Sequence, residues 1–181
     1  MFGLAGNWKR RGPARLDRLA AAIEASGDRD RLQADENTRI DRLRAEGAAA
    51  LHDLCRRFVE ALNERLSSPS VILDPPIFGV AGFRDPGPNL FQINLRGRLM
   101  MIEFEATDEP LSTDDFRRPY ILQGSIRGLN QDLLDRHLVS EKSLFFCLSG
   151  DQGQWHYVDA RSYRSGRLNA DILATELERL V

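Results

Sequence analysis

The texture of the chain changes near residue 67, and that change limits the folds open to it. From about Asp28 to Ser67 the sequence reads as one long, heavily charged helix. Beyond a proline-rich joint it alternates apolar and polar residues, as a sheet does. The pattern predicts an α+β protein. An N-terminal helical hairpin with one long helix (1–67) leads through a joint (68–88) to an antiparallel body of about five strands (89–181), with helices packed on one side of the sheet.

A first helix is expected from Pro13 to Ala25. Proline suits the first helical position, and Gly27 is placed to end the helix in a left-handed conformation. The second helix should run from about Asp30 to Leu66, roughly 55 Å at 1.5 Å per residue. Its apolar positions Ile40, Leu43, Gly47 and Ala50 follow heptad spacing. The stripe then continues through Leu54, Phe58, Leu62 and Leu66 and broadens to the width that packs on a sheet. A helix of that length outruns the joint and body together, about 115 residues, whose radius of gyration would be about 13–14 Å. The seam at Ile40, Leu43, Gly47 and Ala50 is therefore expected to be open and to pair with a second copy, giving a homodimer.

Pro69, Pro75, Pro76, Pro86 and Pro88 exclude a helix from the joint and restrict any strand there to an edge. The body opens with a hairpin, Asn89–Leu95 with Arg98–Thr107, turning at Arg96-Gly97. That register sets Ile93 opposite Met100 and Phe91 opposite Ile102. A polar loop comes next, from Asp108 to Arg118, then a strand from Tyr120 to Arg127 and a short helix from Asn130 to Leu138. A second hairpin pairs Ser143–Ser149 with Gln154–Ala160 around residues 150–153, which places Cys147 opposite His156. A last helix is capped by Asn169, with Ile172, Leu173, Leu177 and Leu180 along its apolar side.

Composition narrows the function. The net charge of −2 argues against a duplex nucleic-acid binder, which usually carries a strong basic excess. The two cysteines form no disulfide framework, so a reducing cytoplasm is the expected setting. Phe2, Leu4 and Trp8 precede Lys9, Arg10 and Arg11, the reverse of a signal peptide's order. No stretch approaches the roughly 20 apolar residues of a membrane helix, so no membrane partner is expected.

Each candidate for chemistry has a plainer reading beside it. His52 and Cys55 share a helix face, and with Cys147 and His156 they could form a Cys₂His₂ zinc site. Neither pair matches a common zinc spacing, and small buried cysteines explain the residues as well, so no metal and no cofactor are expected. Glu103 and Glu105 alternate on a strand but lack the following lysine of nuclease sites, which leaves a solvated sheet face. Trp155 and Tyr157, with Arg161, Arg164 and Arg167 after them, form the best candidate for a ligand or partner surface, because arginine grips carboxylates and phosphates and pairs with aromatic rings. Phosphate loops, dinucleotide fingerprints and nucleophile elbows are absent; the chain leans away from an enzyme, with a catalytic group that assembles only in the fold left open. Two functions are open to it. The first is an interaction protein or adaptor, recognising another protein through the sheet body and self-associating through the helical arm. The second is a small-molecule or phosphate-binding protein, or an enzyme, that uses the arginine-rich segment.

Overall fold

In the computed structural model the backbone is described for residues 8–112, 118–129 and 141–181, and side chains from residue 14 onward within those ranges. The chain divides into two compact units, Met1–Asp41 and Arg42–Val181. Helix α1 (Trp8–Asn63) contributes to both.

The helical hairpin is corrected to a single helix, because α1 continues through Gly27 without a break. A lone glycine costs a helix about 1 kcal/mol against alanine. It ends one only where a left-handed residue gains a cap, and beyond its neighbours Ser26 and Asp28 stand good helix formers, Ala20, Ala21, Ala22 and Ala25 before it and Arg31, Leu32, Gln33 and Ala34 after it. In the first unit every described side chain from 14 to 38 is exposed, Gly27 being half-buried. α1 ends at Asn63, whose side chain serves as a clasp to the next segment. Its Oδ1 accepts the N–H groups of Ser70 and Val71 (both 3.1 Å), and its Nδ2 donates to the Val71 carbonyl at 2.8 Å.

The second unit holds a seven-stranded sheet, wholly antiparallel, with strands in chain order: β1 (Val71–Asp74), β2 (Asn89–Leu95), β3 (Arg98–Ser112), β4 (Pro119–Leu129), β5 (Glu141–Ser149), β6 (Gln152–Asp159) and β7 (Arg164–Arg167). Two strands exceed the five read from sequence. β1 comes from the proline-rich joint and β7 from the arginine-rich segment. Both are four-residue edges, too short for alternation to register, and each is blunted by charge, Asp74 followed by Pro75 at the end of β1 and Arg164 and Arg167 in β7. β3 also extends to Ser112, past a register shift between Ala106 and Leu111 where a polar loop was expected. The helix expected over Asn130–Leu138 lies outside the described residues.

The first hairpin has the expected register, Ile93 opposite Met100 and Phe91 opposite Ile102. Arg96 (φ 52°) and Gly97 (φ 88°) are both left-handed, as a two-residue turn that follows strand twist requires. The second hairpin differs. Its turn is Gly150-Asp151 alone, and Ser149 pairs with Gln152, so Cys147 faces Gln154 and not His156. Gly150 (φ 62°) permits the tighter turn. The two-residue slip leaves every side chain on its expected face.

Helix α2 (Ala170–Glu178) closes the chain, with Asn169 Oδ1 accepting the Ile172 N–H at its start. One face of the sheet carries Phe91, Ile93, Met100, Ile102, Phe104, Ile126, Leu144 and Phe146, all buried. Leu51 and Cys55 of α1, and Leu173, Leu177 and Leu180 near α2, complete this core. A run of rings passes through it: His52 against Phe91 (5.1 Å), Phe91 against Phe104 (5.2 Å), Phe104 against Trp155 (5.5 Å) and Trp155 against Phe146 (5.4 Å). Polar groups are buried beside it. Lys142 Nζ lies 2.7 Å from Asp159 Oδ2 and 3.0 Å from Glu176 Oε1, and Glu176 also meets Arg179 at 3.1 Å. This network ties α2 to β5 and β6 by charge as well as by apolar contact.

Candidate functional site

The arginine-rich segment is a hairpin, not a loop. Residues 160–163 make the turn between β6 and β7, and Tyr163 sits at φ 54°. Asp159 organises it. Its Oδ1 accepts the N–H groups of Arg161 (3.0 Å) and Ser162 (3.3 Å), while its Oδ2 holds buried Lys142. The bond from Lys142 contributes most to holding the Asp159 carboxyl well below the usual carboxylate range, and the bonds from residues 161 and 162 add to it.

The five residues singled out in sequence do not share one surface. Trp155 is buried and its indole N–H donates to the Gly47 carbonyl at 2.7 Å, so it belongs to the core. Tyr157 is half-buried, with Gly166 beneath its ring. Arg164 pairs across the ladder with Asp159, on the α1 face of the sheet, whereas Arg167 pairs with His156 on the opposite face. There the Gln154 carboxamide, turned with its oxygen toward Arg167, accepts from the guanidinium at 2.8 Å. Arg161, Arg164 and Arg167 are all exposed, but Arg164 and Arg167 diverge and do not converge on one anion.

The helical seam is also placed differently from expectation. Ile40 (6% exposed), Leu43 (3%) and Gly47 are buried within the single chain, and Ala50 is exposed. The exposed apolar residues of α1 lie earlier, at Leu16 (66%), Leu19 (55%), Ile23 (64%) and Leu32 (69%).

The four metal candidates are divided by the sheet. His52 and Cys55 lie on the buried side of α1, and His52 Nε2 is 2.8 Å from the Pro75 carbonyl. Cys147 and His156 project to the other face, because Phe146 and Trp155 between them point at α1. Among the described residues no group of three or more His, Cys, Asp or Glu could hold a metal ion. Burial pushes the Cys55 thiol up to about 12 and the Cys147 thiol up to about 11. His156 is held below its ordinary value by burial first, then by Arg118 and Arg167.

The hollows among the described residues include three that bear on a site. One of about 390 Å³ is on the open face of the sheet, over Ser125 and Ser143 between Glu103, Glu105 and Glu141. A second, of about 500 Å³, adjoins Arg44 and is edged by Asp85, Glu105, Asp108 and Glu109. Arg44 is buried there and donates to Asp85 Oδ2 at 3.1 Å and to the Thr107 carbonyl. The third, of about 620 Å³, is apolar and lies where the end of α1, the β2–β3 turn and α2 meet. Sequence reading missed it because its walls come from three segments far apart in the chain. The one available signal was Leu62 and Leu66 continuing the apolar stripe to the very end of the helix.

No helix among the described residues is long and apolar enough to cross a membrane. No protein-family model, curated protein or solved structure matches the chain.

Proposed function

We propose that this chain is an interaction protein that self-associates through the helix of its first unit and recognises another protein through its sheet body. One observation carries the reading. The stretch of α1 from 14 to 38 is helical yet exposed, apart from half-buried Gly27, and it includes Leu16, Leu19 and Ile23 at heptad spacing. Helices in water draw most of their stability from packing an apolar face. The ion pairs along this stretch, Arg31 with Asp28 and Arg39 with Glu36, each supply only tenths of a kcal/mol, roughly.

Charge supports a second copy in antiparallel orientation as the partner. Residues 9–18 hold five basic residues and one acid, a net of +4, whereas residues 21–30, which they would face, hold three acids and one arginine, a net of −2. Antiparallel pairing centred between Leu19 and Ala20 sets Leu16 against Ile23 of the second copy. It also brings Arg15 opposite Glu24. The proposed contact thus moves from Ile40 and Leu43, which are already buried, to Leu16, Leu19 and Ile23. The β6–β7 turn, with exposed Tyr163, Arg161 and Arg164, is the surface offered to an acidic protein partner. The setting is a reducing cytoplasm, and duplex nucleic acid is not a ligand. Light scattering at tens of micromolar tests the assembly. A dimer that becomes monomeric on Leu16→Asp with Ile23→Asp is the expected result, and a monomeric native chain would refute it.

A further inference from the structure

The apolar groove of about 620 Å³ is lined by Phe58 and Leu62 of α1, Leu95 of β2, and Leu177 and Val181 at the C-terminal end. Its size falls within the range of about 300–1,000 Å³ typical of small-molecule sites. A groove of this kind left open to water is costly: Val181 is 77% exposed, and Phe58, Leu62 and Leu95 are half-buried.

Two guanidiniums belong to the same lining, Arg96 and Arg98. Neither has a hydrogen bond or ion pair among the described residues. Their position is fixed by the hairpin, since Arg96 occupies the left-handed first position of the two-residue turn and Arg98 opens β3 opposite Leu95. Glu178 carries the single acidic side chain in the lining. An apolar channel with two unpaired arginines suits a ligand that has an apolar chain and an anionic head, because arginine meets carboxylates in a planar, two-pronged contact.

We infer that this groove binds a monomeric, single-chain anionic amphiphile, with the alkyl chain along Phe58, Leu62 and Leu177 and the carboxylate at Arg96 and Arg98. The site is independent of the arm pairing, as no lining residue belongs to the first unit.

The test is calorimetric titration of the full chain with dodecanoate below its micelle concentration, alongside dodecanol and dodecylammonium. Saturable 1:1 binding of dodecanoate is expected. In Arg96→Asn with Arg98→Gln it should weaken about tenfold, as loss of charge-assisted bonds implies, while dodecanol binding holds. Asparagine suits the left-handed turn position, so that variant keeps the hairpin. Val181→Asp is a second variant at an exposed position. It should abolish binding of dodecanoate and dodecanol and leave the far-UV spectrum unchanged. Equal affinity for dodecylammonium, or no dodecanoate binding, would overturn the proposal. So would Arg-dependent flotation with phosphatidylglycerol vesicles in the absence of monomer binding, which would make the groove a membrane contact. Loss of dimer in Val181→Asp would also overturn it, by showing that a second copy fills the groove.

Discussion

The indole of Trp155 donates its N–H to the carbonyl of Gly47, 2.7 Å away and 108 residues distant in sequence. Both ends of this bond depend on close approach. A Cβ at residue 47 would stand 2.6 Å from the Phe146 ring, and one at Gly153 would stand 2.2 Å from the same ring. Two glycines therefore flank Phe146, one on the helix and one on β6, and let α1 settle onto the sheet.

Gly47→Ala sets two effects in opposition. Alanine gains about 1 kcal/mol of helix propensity, while overpacking a filled core costs about 1–3 kcal/mol. A net loss of about 1–2 kcal/mol is expected from urea denaturation. In a Phe146→Leu background the loss should vanish or reverse, because the ring that alanine strikes is gone. An equal penalty in both backgrounds would mean that the contact with Phe146 is not the cause.

The Lys142 network should govern acid stability. The Asp159 carboxyl has a lower pKa folded than unfolded, chiefly through its bond to Lys142. Its contribution is complete above the unfolded value of about 3.9 and is lost as pH falls from there toward the folded value. Lys142→Met leaves the buried Asp159 carboxylate without its cation, while Glu176 keeps Arg179, and the loss is expected to cost about 3–5 kcal/mol at neutral pH. Asp159→Asn should flatten the acid limb of the stability curve. Denaturant midpoints measured from about pH 6 to about pH 2.5 check both, and an acid limb unchanged in Asp159→Asn would refute the assignment.

The two thiols offer a direct probe of core integrity. Burial raises Cys55 to about 12 and Cys147 to about 11, and both side chains are out of reach of solvent. Neither should react with a thiol-specific disulfide reagent in the native chain at pH 8, and both should react fully in denaturant. The native-state rate should track unfolding. Rapid native reaction of either thiol would place it at a surface.

Legibility in the sequence depended on the range of each interaction. The Arg96-Gly97 hairpin was readable to the register because alternation and a turn signal act over a few residues. The Asn169 cap was readable for the same reason. Gly27 misled because a single glycine does not stop a helix that Ala20, Ala21, Ala22 and Ala25 carry up to it and Arg31, Leu32, Gln33 and Ala34 carry on from it. The Gly150-Asp151 turn misled by two residues because either Gly150 or Gly153 could close the strands, and the Phe146 ring packed against Gly153 is a tertiary fact. Trp155 looked like a surface aromatic beside arginines, yet its partner lies in a helix more than a hundred residues earlier. The apolar groove, for the same reason, showed in the sequence only as Leu62 and Leu66 at the end of the helical stripe.

The strand order has a consequence for how the chain is made. Every ladder joins strands adjacent in sequence, so each hairpin can close as soon as its second strand is synthesised, and local pairing of this kind favours rapid folding. The helix that covers them is completed first, but Trp155, which fixes Gly47, comes late. Until then the inner face of α1, with Leu43, Leu51 and Cys55, lacks the last strands that enclose it. A chain ending before Gln152 should therefore hold its early hairpins without a cooperative unfolding transition. Scanning calorimetry of that truncation, set against the full chain, would show whether the last thirty residues act as the closure of the fold.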